Sequence, residues 1–322
     1  MFCYQCEETV KGAGCTIKGV CGKEDEIAAY QDVLIWLCKG ISVRNLAAME
    51  RGKGNPGAGL FIADALFATL TNVNFDKARF TALINKSVAI RDALPASGSA
   101  EPDTCTWKPK GDSDILEKAQ SIGTLSTANE DVRSLRSTLL FGLKGIAAYY
   151  THAAVLGKTD AAITTFLQKG LASTLQDLPV PDMIALVTEC GKTGVSVLAL
   201  LDAANTSAYG KPQITSVKTA VGTHPGILIT GHDLKDLEML LEQSKDAGVD
   251  VYTHGEMLPA HAYPAFKKYS HLVGNYGSSW WRQKEEFEQF NGPVLFTTNC
   301  LVPPKDSYKG RLFTTGLTGF PG

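Results

Sequence analysis

The stretch Gly226-Ile-Leu-Ile-Thr-Gly-His232-Asp-Leu, continued by Gly248-Val-Asp-Val-Tyr252-Thr-His254-Gly-Glu256-Met-Leu-Pro-Ala-His261, decides the fold. Gly226 to Thr230 is a short β-rich run. Asp233 to Ala247 carries Leu234, Leu237, Leu240 and Leu241 at helical spacing, and Gly248 stops it. Val249 to Tyr252 predicts a second strand and Pro264 to Ser270 a short helix. His271 to Gly274 predicts a third strand, Ser279 to Phe290 a helix, and Pro293 to Thr297 a fourth strand. Strands alternating with helices at this interval predict a parallel, doubly wound sheet.

In such a sheet ligands bind beyond the carboxyl ends of the strands. His232 follows the first strand, and His254 and Glu256 the second, with His261 farther on. Asn275 follows the third, and Asn299 and Cys300 the fourth. An imidazole, a carboxylate and a thiolate can converge there as a mixed N/O/S donor set suited to a transition metal. Each residue also has a plainer reading. A histidine after a strand often caps a helix, and a buried cysteine often only fills space. The expectation carried forward is a shared metal site of His232, Glu256 and Cys300, with His254 and His261 as substitutes or supporting groups. Trp280 and Trp281 read as packing or interface aromatics.

Toward the N-terminus the period changes to helical. Ile27, Tyr30, Leu34, Leu37, Cys38 and Ile41 share one helix face. Further helices are predicted over about 60–70, 76–94, 114–121, 132–150, 161–175 and 181–204, with a loop at 95–111. Leu34-Ile35 and Lys39-Gly40-Ile41 align with Leu139-Leu140 and Lys144-Gly145-Ile146 at an offset of 105 residues. Two related three-helix units are therefore expected. Cys38 and Cys190 read as core thiols. His152 reads as a surface or packing residue, and Cys105, in a polar loop, has no assigned role. The fold expected is α+β and multidomain. Residues 1–210 form an all-α domain that includes an N-terminal cysteine loop. Residues 211–322 form a Rossmann-like α/β parallel-sheet domain.

That loop, Met1-Phe-Cys3-Tyr-Gln-Cys6 through Cys15 to Cys21-Gly22, holds four of the eight cysteines with spacing C-x2-C-x8-C-x5-C. Four thiolates on a short glycine-bearing loop are the usual donor set for zinc or an iron–sulfur cluster. Disulfides or unligated thiols are the plainer alternatives. Zinc sites usually come as two separated C-x2-C pairs, and only the first gap has that spacing, so iron–sulfur is favoured.

Composition narrows the class. With 31 basic and 33 acidic residues the formal charge is −2, which gives no footprint for nucleic acid. No secretory leader and no transmembrane span are expected. Clustered cysteines then belong to a reducing, cytoplasmic setting and read as ligands.

The chain resembles the hybrid-cluster (prismane) proteins, or hydroxylamine reductases, over all 322 residues. The motifs that carry the likeness are Met-Phe-Cys-x-Gln-Cys-Glu, Gly-His-Asp-Leu, Tyr-Thr-His-Gly-Glu-Met-Leu-Pro-Ala-His and Thr-x-Asn-Cys. The resemblance implies a 4Fe–4S cubane on Cys3, Cys6, Cys15 and Cys21, serving as an electron inlet. It implies a second, hybrid 4Fe–2O–2S cluster to which His232, Glu256 and Cys300 give the first three protein ligands. It implies two-electron reduction of hydroxylamine to ammonia and water, with nitric oxide as a competing substrate and a separate protein as electron donor. His254 or His261 would deliver protons. Family members run on to further cysteines, one persulfidated, and another glutamate. No cysteine follows Cys300 here, so this chain is expected to hold an incomplete ligand set. It is expected to be a fragment, half of a split enzyme with a separate C-terminal chain, or a cubane-only electron-transfer module.

Overall fold

The structure, a computed structural model, describes residues 1–98, 101–298 and 300–321. The helical part runs α1 (Asp25–Glu50), α2 (Pro56–Ala68), α3 (Lys77–Ala93), α4 (Asp112–Ile122), α5 (Glu130–Val155), α6 (Ala161–Ser173) and α7 (Val180–Tyr209). The apolar face predicted for α1 is buried throughout, from Ile27 to Ile41, in one core shared with α2, α3, α5 and α6. α2 begins four residues before its apolar run. Asn55 accepts the Gly57 amide and Pro56 fits the first turn, so the cap rather than the hydrophobic pattern sets the start.

The repeat holds to the residue in the first two helices of each unit, while the third helices differ, α3 having 17 residues and α7 having 30. α1 and α5 are each 26 residues long, and α2 and α6 each 13. Asp25 and Glu130, like Pro56 and Ala161, stand 105 positions apart. Asn55 and Asp160 cap the two short helices at one end. At the other, Thr69 and Thr174 each turn a hydroxyl onto a leucine carbonyl at 2.7 Å. α1 packs on α3 as α5 packs on α7, and each long helix also packs on the other unit's short one. That exchange is what a two-fold relation between the units produces.

Two features differ from the sequence reading. Cys105 does not sit in a solvated loop but is fully buried, its Sγ 3.7 Å from the Gly40 carbonyl oxygen. Gly40 admits this close approach, since a Cβ there would lie 2.4 Å from the Thr104 oxygen. Arg91, wholly buried, then clamps the loop by donating to the carbonyls of Thr104 and Trp107. The second feature is α7, which by length and composition alone could cross a membrane, where no such segment was expected. It carries Asp182, Glu189, Lys192 and Asp202, and lies along α5 with Cys190 and Val197 in the helical core.

After Tyr209 the chain enters a five-stranded sheet of order β3-β2-β1-β4-β5. Its strands are β1 (Gly226–Thr230), β2 (Asp250–His254), β3 (Leu272–Asn275), β4 (Val294–Phe296) and β5 (Leu312–Thr314), all parallel. Helix α8 (Leu234–Ser244) covers one face, and α9 (Gln283–Gln289) and α10 (Asp306–Lys309) the other. Leu228 and Tyr252 point to one apolar cluster and their neighbours Ile229 and Val251 to the other, so both faces are covered. The sequence does not predict β5 or α10: β5 buries none of its three residues, unlike the equally short β4, and four residues are too few for α10 to display a period. The predicted helix at Pro264–Ser270 is a 3₁₀ turn, Pro264–Lys268, and a further 3₁₀ segment, Gly255–Ala262, carries Pro259.

Candidate metal centre

β1 is flanked by β2 on one side and β4 on the other, so the strand order reverses between β1 and β4. In doubly wound sheets the crevice beyond the strand ends at that reversal is where ligands bind. Thr230 is level with His254 on β2 and with Phe296 on β4. His232 and Glu256 therefore each sit two residues past a level pair. They meet: His232 Nε2 and Glu256 Oε2 share a hydrogen bond. A carboxylate only accepts, so Nε2 carries the proton and Nδ1 accepts from the Thr298 hydroxyl at 2.8 Å. His232 thus bridges the loops after β2 and β4. Burial pushes its pKa down against the opposing pull of Glu256, keeping the neutral imidazole a metal requires.

Cys300 completes the trio, with a left-handed backbone (φ 71°). Its carbonyl accepts from Gln283 Nε2 at 2.7 Å. Burial, and secondarily the charge of Glu256, push its thiol up to about 12. Glu256 is thus hydrogen-bonded to one member of the trio and within electrostatic reach of the other. Asn299, beside it in the sequence, lies outside the described residues.

The other strand-end residues turn elsewhere. His254 has both ring nitrogens engaged, with Glu286 Oε2 at 2.9 Å and Thr230 Oγ1 at 3.2 Å, and stacks edge-on against Phe287. His261 Nε2 lies 2.9 Å from Thr253 Oγ1, which donates to Asn275. His152, read as a packing residue, lies in a cavity of 330 Å³ that also reaches His232, with its Nδ1 3.4 Å from Asp233. It stands on α5, 80 positions earlier in the chain, and no sequence signal joins it to this site.

The cysteine loop lies across α2 and α5. Cys3 and Cys15 exchange backbone hydrogen bonds of 3.0 and 2.8 Å, which folds the loop back on itself. Burial raises the Cys6 thiol, and the neighbouring Cys21 and Cys3 sulfurs add to it. Burial would raise Cys15 as well. Hydrogen bonds from Val10, Val20 and Thr9 and the Lys23 charge outweigh it and hold this thiol below the ordinary range. Among the described residues no three ligand-type side chains are gathered to clasp a single ion. Cluster thiolates bind separate irons, so they stand farther apart than the ligands of one ion.

Two buried lysines behind the loop test whether an anionic cluster suits it. Lys23 and Lys144 are 2% and 4% exposed. Lys23 donates to Gln31 Oε1 at 2.6 Å, and Lys144 to Gln5 Oε1 and the Thr69 carbonyl, each at 3.1 Å. Among the described residues neither has a carboxylate within ion-pairing distance. Burial, then the Lys23 charge, push Lys144 down to about 7, opposed by Cys3 and Asp32. Two buried cations share the one carboxylate of Asp32 in the cavity behind the loop, and the surplus positive charge suits a loop that carries thiolate charge. Cys6 and Cys21 line the same 820 Å³ cavity as Cys300, together with Trp280 and the largely exposed Trp281. Asn72 ties the gap by exchanging hydrogen bonds with Leu301 at 2.8 and 2.9 Å.

A model of the Prismane/CO dehydrogenase family matches residues 1–322. A hydroxylamine reductase of Desulfitobacterium hafniense (strain DSM 10664 / DCB-2) is 55% identical over 331 residues, covering 100% of this chain and 60% of the relative. A hydroxylamine reductase of Thermoanaerobacter pseudethanolicus is also 55% identical, over 330 residues with the same coverage. The chain therefore spans about 60% of the length of these curated relatives. A carbon monoxide dehydrogenase from Thermococcus sp. AM4 aligns with 98% of this chain and 49% of its own, at 13% identity and a TM-score of 0.37, too loose a match to bear on the site.

Proposed function

The chain belongs to the Prismane/CO dehydrogenase family, and on that premise we propose that it serves in two-electron reduction of hydroxylamine, NH2OH + 2H⁺ + 2e⁻ giving NH3 and H2O. The observation that carries this reading is the contact of His232 with Glu256 beyond β1 and β2, with Cys300 in electrostatic reach of Glu256 and lining one cavity with Cys6 and Cys21. Relatives 55% identical bear the name of that activity.

In this reading Cys3, Cys6, Cys15 and Cys21 hold a 4Fe–4S cubane, and His232, Glu256 and Cys300 furnish part of the ligand set of a hybrid 4Fe–2O–2S cluster. Bound clusters supply one-electron steps and a Lewis-acidic iron for the nitrogen oxide. The protein's own groups do the rest. With iron on Nε2, the His232 proton would sit on Nδ1 and be donated to the Thr298 hydroxyl, which would fix the ring plane. Glu256, the more exposed partner of His232, is the group through which the loop after β2 can adjust. Lys23 and Lys144 balance charge behind the cysteine loop. His254 and His261 remain the proposed proton carriers, His254 through its contact with Glu286. An electron-donor protein and a reducing, cytoplasmic setting follow from the same reading. So does a division into a helical domain, 1–210, and a sheet domain, 211–322.

Anaerobic reconstitution with iron and sulfide tests it. About four irons per chain with a cubane EPR signal, lost in Cys6→Ser, are expected of the cysteine loop, and roughly eight with turnover where the second cluster also forms. Ammonia formed from hydroxylamine with a reduced dye then tests the activity. Iron content unaltered by Cys6→Ser would sink the ligand assignment.

A further inference from the structure

The repeat that builds the seat of the cysteine loop builds a second seat. Lys39 holds on α1 the position that Lys144 holds on α5, and Thr174 ends α6 as Thr69 ends α2. At the first seat the Lys144 ammonium meets Gln5 of the cysteine loop and the Thr69 carbonyl. At the second, residues 121–127 lie where the loop would be, and a cavity of 240 Å³ remains. Lys39, Arg133 and Arg136 line it, with Thr127, Ser137 and Asp32. Asp32, Ile35 and Leu140 line this cavity and also the one behind the cysteine loop, so the two share a wall.

We propose that this second seat binds a small inorganic oxyanion of the phosphate type, held between Lys39 and the paired guanidinium groups of Arg133 and Arg136. Among the described residues, Lys39 has no hydrogen bond and no ion pair, although it is half-buried. Both arginines are already fixed. Arg133 Nη1 donates to the Thr127 carbonyl at 3.1 Å and Nη2 to Glu130 at 3.2 Å. Arg136 Nη1 donates to Thr127 Oγ1 at 3.1 Å and Nη2 to the Gln176 carbonyl at 2.9 Å, with Asp177 3.6 Å away. The Arg136 Nε is buried without an acceptor. Pre-positioned guanidinium groups beside an unpaired ammonium are the usual makings of an oxyanion site.

Asp32 is the carboxylate in the wall, and it opposes an anion. Its charge is shared among Lys144, Lys23 and Lys39, and burial pushes its pKa up to about 6. Burial, then Arg136, push Lys39 down to about 8, with Asp32 opposing. The cavity therefore holds more positive than negative charge. At roughly 30 Å³ per water, it has room for an oxyanion and a few waters.

The test is titration of the full chain with inorganic phosphate at constant ionic strength, chloride compensating, followed by calorimetry and thermal unfolding. Saturable single-site uptake is expected, with a melting temperature that climbs with phosphate concentration and competition by sulfate. Lys39→Met and Arg136→Gln should each weaken uptake by at least about tenfold. Lys192→Met, on exposed α7, should leave it unchanged. Lys39→Met replaces a half-buried ammonium by an apolar chain of similar length, so it should fold, and its phosphate-free melt checks this. No saturable uptake by the wild type, or equal uptake by both cavity variants, overturns the proposal.

Discussion

Lys144, in the middle of α5, holds the side-chain oxygen of Gln5 at 3.1 Å, and Gln5 lies between Cys3 and Cys6. The ammonium is buried without an ion pair and shares Asp32 with Lys23, so it destabilises the cluster-free chain and favours added negative charge on the loop. Lys144→Met should therefore leave the melting temperature of the cluster-free chain unchanged or higher. In the reconstituted chain it should move the cluster's reduction potential to more negative values, because the reduced form carries the extra electron. An EPR-monitored redox titration reads this, and an unmoved potential would mean that the lysine does not sense the cluster.

Cysteines of the loop and of the helical core should separate cleanly. Cys15→Ser should abolish cluster iron while the helical circular dichroism stays unchanged, since the loop packs on the outside of the helices. Cys38, wholly buried in the core, has its thiol pushed up to about 12 by burial alone. Cys38→Ala should keep the iron and cost roughly 1–2 kcal/mol of stability by leaving a small void. Iron and sulfide assays beside urea unfolding distinguish the two effects.

Glu256→Ala and Cys300→Ala should leave the iron of the cysteine loop intact and remove any iron bound beyond it, because both stand at the sheet crevice. Iron per chain measured on these variants and on Cys6→Ser, singly and combined, checks that the two sites load independently. A loss of cubane signal in Glu256→Ala would show the sites to be coupled in folding.

The sequence made some of this legible and hid the rest for physical reasons. Apolar period located α1 to α7, and alternation of strand and helix located β1 to β4. Residues following strands pointed to His232, Glu256 and Cys300 because a parallel sheet brings its strand ends to one edge. The matching Lys39-Gly-Ile and Lys144-Gly-Ile signalled the repeat, but a lysine in a helix ordinarily reads as a solvated side chain. Only packing shows Lys144 turned inward. Cys105 and Arg91 were opaque for a similar reason, since nothing local says that a polar loop will be drawn down by a buried guanidinium. His152 reaches the cavity at His232 through contacts between α5 and the loop after β1, and local pattern carries no trace of such contacts.

Lys39 predicts a pH dependence with a defined sign. Its folded pKa, pushed down to about 8 by burial, lies below the ordinary lysine value of about 10.4. Between those values the unfolded chain binds a proton that the folded chain does not, so stability rises with pH across that window. Below about 8 both states are protonated and the contribution is flat. Buried thiols such as Cys38 and Cys300, with raised pKa values, act in the opposite sense, so urea unfolding in phosphate-free buffer should show the Lys39 contribution as a stability of the wild type relative to Lys39→Met that rises across the window. Equal slopes would mean that Lys39 titrates as if solvated.

Gly22 fixes how the cysteine loop meets the sheet. Its φ is 88°, and a Cβ there would lie 2.4 Å from Pro303 Cγ, just past the Cys300 loop. Gly12 has a similar φ of 68° but open space around it. Alanine at either position incurs the left-handed strain, roughly 1–3 kcal/mol. Only Gly22→Ala adds a collision with the ring of Pro303. Gly22→Ala should therefore destabilise the chain more than Gly12→Ala, and it should speed proteolysis within residues 1–24 under native conditions. Pro303→Ala, which removes the colliding atom, should recover part of the difference in the double variant. If the two glycine variants unfold at the same urea concentration and are cleaved at the same rate, the loop does not rest on Pro303, and other contacts, the Asn72–Leu301 pair among them, hold the cavity joining Cys6, Cys21 and Cys300.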